Sequence, residues 1–251
     1  MEAMLFDQPF ADNVRMRERA SNAMEVVFYG HAGRPADKWH HYLEIYDRYL
    51  SRYRGQRMRL LEIGVQRGGS LQVWKKYLGE RASICGLDID PRSMYSEPQI
   101  SVVIGSQSSP SCLQGIAERE DDPLDVVIDD GSHFAADQLV TFTTLYPMMA
   151  ADGVYICEDI HTAYWQGNGL FLVLMKQMID QLHAWYRDEG DLRVAQTTYA
   201  VHFYDSVIVI EKRTQKRPFR ALVGSPPDPD PFRVRTEVGN RNEAEPEDHE
   251  S

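Results

Sequence analysis

The sequence predicts an α/β fold: a mostly parallel, doubly wound sheet, closed by an antiparallel hairpin and preceded by a helical N-terminal cap. Three observations carry this reading. From Met58 onward, short apolar, β-branched runs alternate with amphipathic stretches of helical period. Two of the runs end in loops of unusual chemistry, Gly64-Val65-Gln66-Arg67-Gly68-Gly69-Ser70 and Asp129-Asp130-Gly131-Ser132-His133. The last two runs have no helical stretch between them, which closes the sheet antiparallel.

Residues 16–27 and 38–53 read as helices joined by the turn from Gly30 to Pro35. The second carries Trp39, Tyr42, Tyr46, Tyr49 and Tyr53 at spacings of three and four, so one aromatic face packs on something, with an interface between copies as one use for it. Strands are then predicted at 58–63, 83–87, 100–104, 124–128 and 153–157, with helices at 70–78, 111–119 and 135–146. Alternation of this kind implies parallel strands with right-handed crossovers. A long amphipathic helix at 170–186 precedes the closing hairpin, 192–199 and 202–211. The chain therefore divides into a helical cap (1–57), an α/β domain (58–213) and a Pro-rich acidic segment (214–251). Residues 225–251 hold eight acids against three arginines and almost nothing apolar, so this stretch reads as flexible or laid on a partner.

Composition narrows the function. At 251 residues, 43% hydrophobic and 26% charged, the chain can fill one large core. A formal charge of −11 argues against a nucleic-acid partner, whose phosphates ask for a basic face. No apolar run approaches the ~20 residues of a membrane helix, and Met1-Glu2-Ala3-Met4 lacks a signal-like pattern. Cys85, Cys112 and Cys157 have no metal-ligand spacing and read as reduced thiols. The expectation is a cytoplasmic protein that acts on a small molecule.

The glycine-rich loop follows a strand and opens a helix, where backbone N–H groups are free to meet a ligand. It lacks the Gly-Lys-Ser/Thr ending and the Gly-x-Gly-x-x-Gly pattern of phosphate loops. Glu62, two residues before Gly64, disfavours phosphate and suits a cationic ligand. Asp88 ends the next strand, where an acid accepts from ribose hydroxyls, and Gln107 follows the third. Together they point to an adenosine ligand bearing positive charge, and S-adenosylmethionine fits.

Adjacent parallel strands deliver their C-terminal ends to one side, so Asp130, Glu158 and Asp159 can meet at one cation. Oxygen ligands without sulfur favour Mg²⁺. His133 stands three residues from Asp130, placed as a general base for a hydroxyl whose pKa the cation lowers. The plainer alternative makes Asp130 and Asp159 caps of the helices that follow. His161, Tyr164 and Trp165 can wall a sugar or simply pack a lid. The run His202-Phe203-Tyr204-Asp205 is assigned to packing, as are Trp74 and Trp185.

Residues 37–212 resemble the class I, S-adenosylmethionine- and magnesium-dependent sugar O-methyltransferases of antibiotic biosynthesis. The likeness rests on Asp37-Lys38-Trp39, Leu61-Glu62-Ile63-Gly64-Val65 with Gly68-Gly69-Ser70-Leu71, Gly86-Leu87-Asp88-Ile89, Gly105-Ser106-Gln107-Ser108, the 128–133 run, Glu158-Asp159 and His202-Phe203-Tyr204. It implies a Rossmann-like, seven-stranded methyltransferase sheet. It also implies cofactor contacts from Glu62, Gly64, Gly68, Ser70, Asp88, Ser106, Gln107 and Asp129, metal ligands at Asp130, Glu158 and Asp159, and His133 as the base. The acceptor implied is a deoxysugar, nucleotide-linked or on a natural product, and the enzyme is expected to be a homo-oligomer. Ser106 departs from the aspartate often found in the macrolide enzymes. Two other readings stay open: a protein on a cephalosporin-hydroxylase-like, oxygenase-linked scaffold, and a non-catalytic cofactor-binding module.

Overall fold

The computed structural model describes residues 12–166, 169–187 and 192–224. The acidic run 225–251 lies outside the described residues. Of the described residues, those up to Arg217 belong to one compact unit and 218–224 to a second.

Strand β1 (Met58–Ile63) is buried at every position, as an apolar run must be when helices cover both sheet faces. On one side it pairs in parallel with β2 (Ala82–Asp88), which pairs with β4 (Ile100–Ile104). On the other side it pairs with β5 (Leu124–Asp129), which pairs with β6 (Met149–Cys157). Strands β7 (Thr198–Phe203) and β8 (Ile208–Lys212) form the closing hairpin, with β8 antiparallel to β6. With a short edge strand β3 (Ser96–Glu97), the order β3-β4-β2-β1-β5-β6-β8-β7 reverses direction between β1 and β5, the crevice where open α/β sheets bind ligands. This is a class I methyltransferase sheet with one extra strand. Ser96–Glu97 (β3) adds an antiparallel edge to β4, giving eight strands where seven were expected. Two residues are too few to show a period, which is why the pattern did not announce them.

The helices are α1 (Asn13–Glu18), α2 (Ala23–Tyr29), α3 (His40–Leu50), α4 (Gly69–Leu78), α5 (Pro110–Ala117), α6 (Ala135–Leu145), α7 (Thr162–Gln166), α8 (Leu170–Leu182) and α9 (Leu192–Thr197). Several differ from the sequence prediction: α7 was not expected, and the helix expected over 170–186 ends at Leu182. The helix expected over 16–27 breaks in two because Asn22 caps α2 by accepting from the Glu25 N–H, while the Glu25 carboxylate reaches back to the Ser21 N–H. The helix expected from Lys38 begins at His40, leaving residues 31–38 as a strap. Residues 192–197, read as the first arm of the hairpin, are helical. Their apolar positions Leu192, Val194 and Ala195 do not alternate, and the Thr197 hydroxyl donates to the Arg193 carbonyl one turn back.

The aromatic face of α3 packs inward. Tyr42, Tyr46, Tyr49 and Tyr53 are buried in the same cluster as Leu60, Ile128 and Trp74, and the Tyr46 and Trp74 rings meet edge to face at 4.8 Å. The cap thus shares the core on one sheet face, while α5, α6 and α8 cover the other. No described helix is long and apolar enough to cross a membrane.

Two glycines separate backbone necessity from mere permission. Gly64 sits at φ +89°, and a Cβ there would lie 1.9 Å from the Asp130 carbonyl oxygen. Gly115, inside α5, would meet nothing within 4 Å. In urea unfolding, Gly64→Ala is expected to cost at least about 2 kcal/mol. Gly115→Ala is expected to gain roughly 0.5–1 kcal/mol, because the unfolded chain loses freedom.

Candidate active site

The five parallel strands end in step, and backbone hydrogen bonds carry the ladder past their last residues. The Gly105 N–H donates to the Asp88 carbonyl, Gly64 to Leu87, Asp130 to Ile63 and Glu158 to Asp129. This register sets Asp88, Glu62, Asp129–Asp130 and Glu158–Asp159 along one edge.

On the β1 side, the Asp88 carboxylate accepts from the N–H groups of Val65 and Gln66 at 2.9 and 2.8 Å, and from Asp90 at 2.8 Å. It holds the glycine loop in place. Gly68 has φ +83° and lies against the Tyr95 ring, and a Cβ at Gly69 would strike the carbonyls of Arg34 and Pro35. The strap 31–38 therefore lies directly on this loop, and the Arg34 guanidinium stacks over Tyr95 at 4.1 Å. Ser70 donates to Glu62 at 2.6 Å, and burial pushes the Glu62 carboxyl above its ordinary range.

The β5 loop is fixed from beneath. Gln107 accepts from the Ser132 N–H at 2.6 Å and donates to Asp129 and Thr141. Asp129 is fully buried, also accepts from Tyr155, and is pushed up to about 6 by burial. Gln107 and Asp129 thus shape the β5 loop, while Ser106 bonds with Ser108 at the surface. Asp130 does not cap α6, whose cap residue is Phe134 with its N–H on Ser132; the helix that follows Asp159 is α7, and the Asp159 side chain accepts from Tyr42 instead.

At the centre, His133 Nε2 lies 3.6 Å from Asp159 Oδ2 and 4.0 Å from Asp130 Oδ1. Ligand atoms of Asp130, His133 and Asp159 all fall within 4.8 Å of one another. Glu158 is turned away from that group. Lys38 Nζ stands 3.0 Å from both its oxygens, 2.6 Å from Asp130 and 3.3 Å from Glu62, and Tyr46 donates to Glu158 at 2.5 Å. Burial alone would lower the Lys38 pKa, but Asp130 and Glu158 outweigh it and hold the amine charged. His133 and Asp159 adopt left-handed backbone at φ +58° and +53°, a strain of about 1–3 kcal/mol each, and their side chains face one another. The oxygen-rich donor set fits a hard divalent ion. Around the mouth, His161 lies edge-on to Trp39 at 6.4 Å and to Trp165 at 4.7 Å, with Tyr164 and Trp165 exposed.

No family model matches the chain. Relatives do. The 8-demethyl-8-alpha-L-rhamnosyl tetracenomycin-C 2'-O-methyltransferase of Streptomyces olivaceus is 33% identical over 199 residues, 71% of this chain and 52% of that protein. The mycinamicin VI 2''-O-methyltransferase of Micromonospora griseorubida is 36% identical, over 69% of this chain and 48% of that one. The MycE methyltransferase of the mycinamycin biosynthetic pathway, solved with Mg, SAH and mycinamycin VI, superposes with a TM-score of 0.66 at 32% identity, covering 81% of this chain and 54% of that one. The chain is a relative of the sugar O-methyltransferases. It spans about half the length of the curated relatives it matches.

Sequence reasoning about this sugar O-methyltransferase relative missed three residues that organise the site: Lys38, Tyr42 and Tyr46. Tyr42 donates to Asp159 at 2.7 Å, as Tyr46 does to Glu158. The three are spaced by four, a cation in line with an aromatic stripe. A charge leading a stripe bound for the core is the signal that would have found them.

The support beneath the β5 loop gives a measurable expectation. Gln107→Leu leaves the Ser132 N–H, Asp129 and Thr141 short of partners in a buried setting. A loss of about 3 kcal/mol is expected in guanidinium unfolding, since each orphaned group costs ~1–3 kcal/mol less whatever relaxation recovers.

Proposed function

We propose that this chain transfers a methyl group from S-adenosylmethionine to a hydroxyl of a deoxysugar, rhamnose-like and carried on a natural product or a nucleotide, with Mg²⁺ bound beside His133. The observation that carries the reading is the grouping of Asp130, His133 and Asp159 within 4.8 Å at the switch point, next to the glycine loop. The named relatives, which methylate sugar hydroxyls, support it. The formal charge of −11 agrees with a small acceptor and no nucleic acid.

The chain's own residues divide the work. The 64–70 loop, braced by Asp88, offers free N–H groups of α4 and the nearby Glu62 carboxylate to a cofactor that carries positive charge. Asp130 and Asp159 offer hard oxygens for the ion, with Glu158 in reserve behind them. When bound, Mg²⁺ supplies orientation of neighbouring hydroxyls and a lowered hydroxyl pKa. His133 Nε2 takes the proton as the acceptor oxygen attacks the methyl carbon in line. The new C–O bond forms as the S–CH₃ bond breaks, leaving S-adenosylhomocysteine. His133 Nδ1 is buried with no hydrogen-bond partner. The exposed aromatics Trp39, Tyr164 and Trp165 give the sugar or its aglycone a wall to stack on.

The test is methyl transfer to rhamnosyl and other deoxysugar glycosides, read as a mass gain on the acceptor. Metal removal with EDTA is expected to abolish turnover, and Mg²⁺ to restore it. His133→Ala is expected to lower kcat by about 10²–10⁴-fold, the usual worth of a positioned base. Full turnover in chelator sinks the metal mechanism. Failure of S-adenosylhomocysteine to bind in calorimetry sinks the transferase reading altogether.

A further inference from the structure

We propose that Lys38 is a resident counter-ion of the acid cluster, and that a divalent ion binds by exchange: Glu158 and Asp130 release the ammonium, which retreats to Glu62. This rests on the metal reading above. Lys38 is supplied by the strap, outside the sheet, yet its side chain is only 3% exposed and its nitrogen contacts carboxylates from β1 and from just past the ends of β5 and β6.

The assignment of each oxygen carries the inference. Both Glu158 oxygens face Lys38, and one also takes the Tyr46 hydroxyl. Asp130 gives Oδ2 to Lys38 and turns Oδ1 toward His133. Asp159 gives Oδ1 to Tyr42 and turns Oδ2 toward His133. The arrangement therefore presents two carboxylate oxygens and one imidazole, while the third carboxylate is kept out of reach by a lysine and a tyrosine. A divalent ion brought to Asp130 and Asp159 stands close to the ammonium, and like charges in a poorly solvated site repel strongly. Glu62 provides the place to go. Its Oε1 is buried, lacks a hydrogen bond, and lies 3.3 Å from Lys38 Nζ. A four-carbon stem accommodates so short a shift. The exchange frees Glu158 as the third hard ligand and moves positive charge onto the carboxylate beside the cofactor loop. Lys38 is a positioning residue in this scheme, acting through the acids it holds.

The experiment measures metal affinity, not turnover. The full chain is stripped with EDTA, dialysed and titrated with Mn²⁺, the free ion being counted by electron paramagnetic resonance. Lys38→Met keeps the length and removes the charge, and its Mn²⁺ affinity is expected to rise by about tenfold or more, the scale of one nearby like charge removed. Tyr46→Phe keeps the fold and loosens Glu158 alone, and it is expected to tighten Mn²⁺ by a smaller factor of the same sign. Should Lys38→Met fail to fold, Tyr46→Phe decides. Unchanged or weaker Mn²⁺ binding in the deciding variant, with the wild type binding normally, overturns the exchange and leaves the metal reading standing. No Mn²⁺ bound by any of the proteins removes both.

Discussion

Gathering carboxylates at one sheet edge is the constraint to which the rest of this structure answers. A parallel register brings Glu62, Asp129, Asp130, Glu158 and Asp159 to the same side, and three of these are almost wholly buried. A buried carboxylate without partners is costly enough to undo a fold of ordinary stability. Each acid therefore has a donor assigned to it: Ser70 for Glu62, Tyr155 and Gln107 for Asp129, Tyr46 for Glu158, Tyr42 for Asp159, and Lys38 shared among three. The helical cap exists in large part to deliver two of these tyrosines and the lysine. Its aromatic face fills the core, and its hydroxyls compensate charge.

The same reasoning explains what could be read in advance. Strands β1 and β5 and the 153–157 part of β6 were legible because burial on both faces demands nearly uninterrupted apolar runs, whereas β2 and β4, less buried on one face, were legible from short apolar runs. The candidate acids and His133 stood out because two neighbouring apolar runs both end in carboxylates, one of them with a histidine three residues on, which helix capping alone does not call for. The 192–197 helix and the 96–97 strand were not. One lacks strict alternation as well as a clean helical stripe, and the other is too short to have a period. Lys38 escaped for a different reason. Its partners lie in other strands, so its role depends on pairings that no local window contains, and only its position ahead of an inward-facing stripe hinted at burial.

Support and strain are divided between different residues. Asp129, Gln107 and Tyr155 form a closed, satisfied network beneath the β5 loop, whereas His133 and Asp159 above it are held in backbone that few side chains adopt. Thr162 ties the two loops by donating to the carbonyls of both His133 and Asp159. A satisfied layer below and two constrained residues above leave the groups of this site little freedom to drift, the condition under which positioning contributes most to rate.

The Lys38 pairings also shape how the polypeptide reaches this state. Its partners Asp130 and Glu158 lie 92 and 120 residues further along the chain. During synthesis, the amino-terminal helices leave the ribosome long before the strands that neutralise and cover them. Contacts this distant are slow to close, so Lys38 and the Tyr46 hydroxyl stay without Glu158 until β6 has emerged, and that interval is when the nascent chain is most open to chaperones or to mispairing.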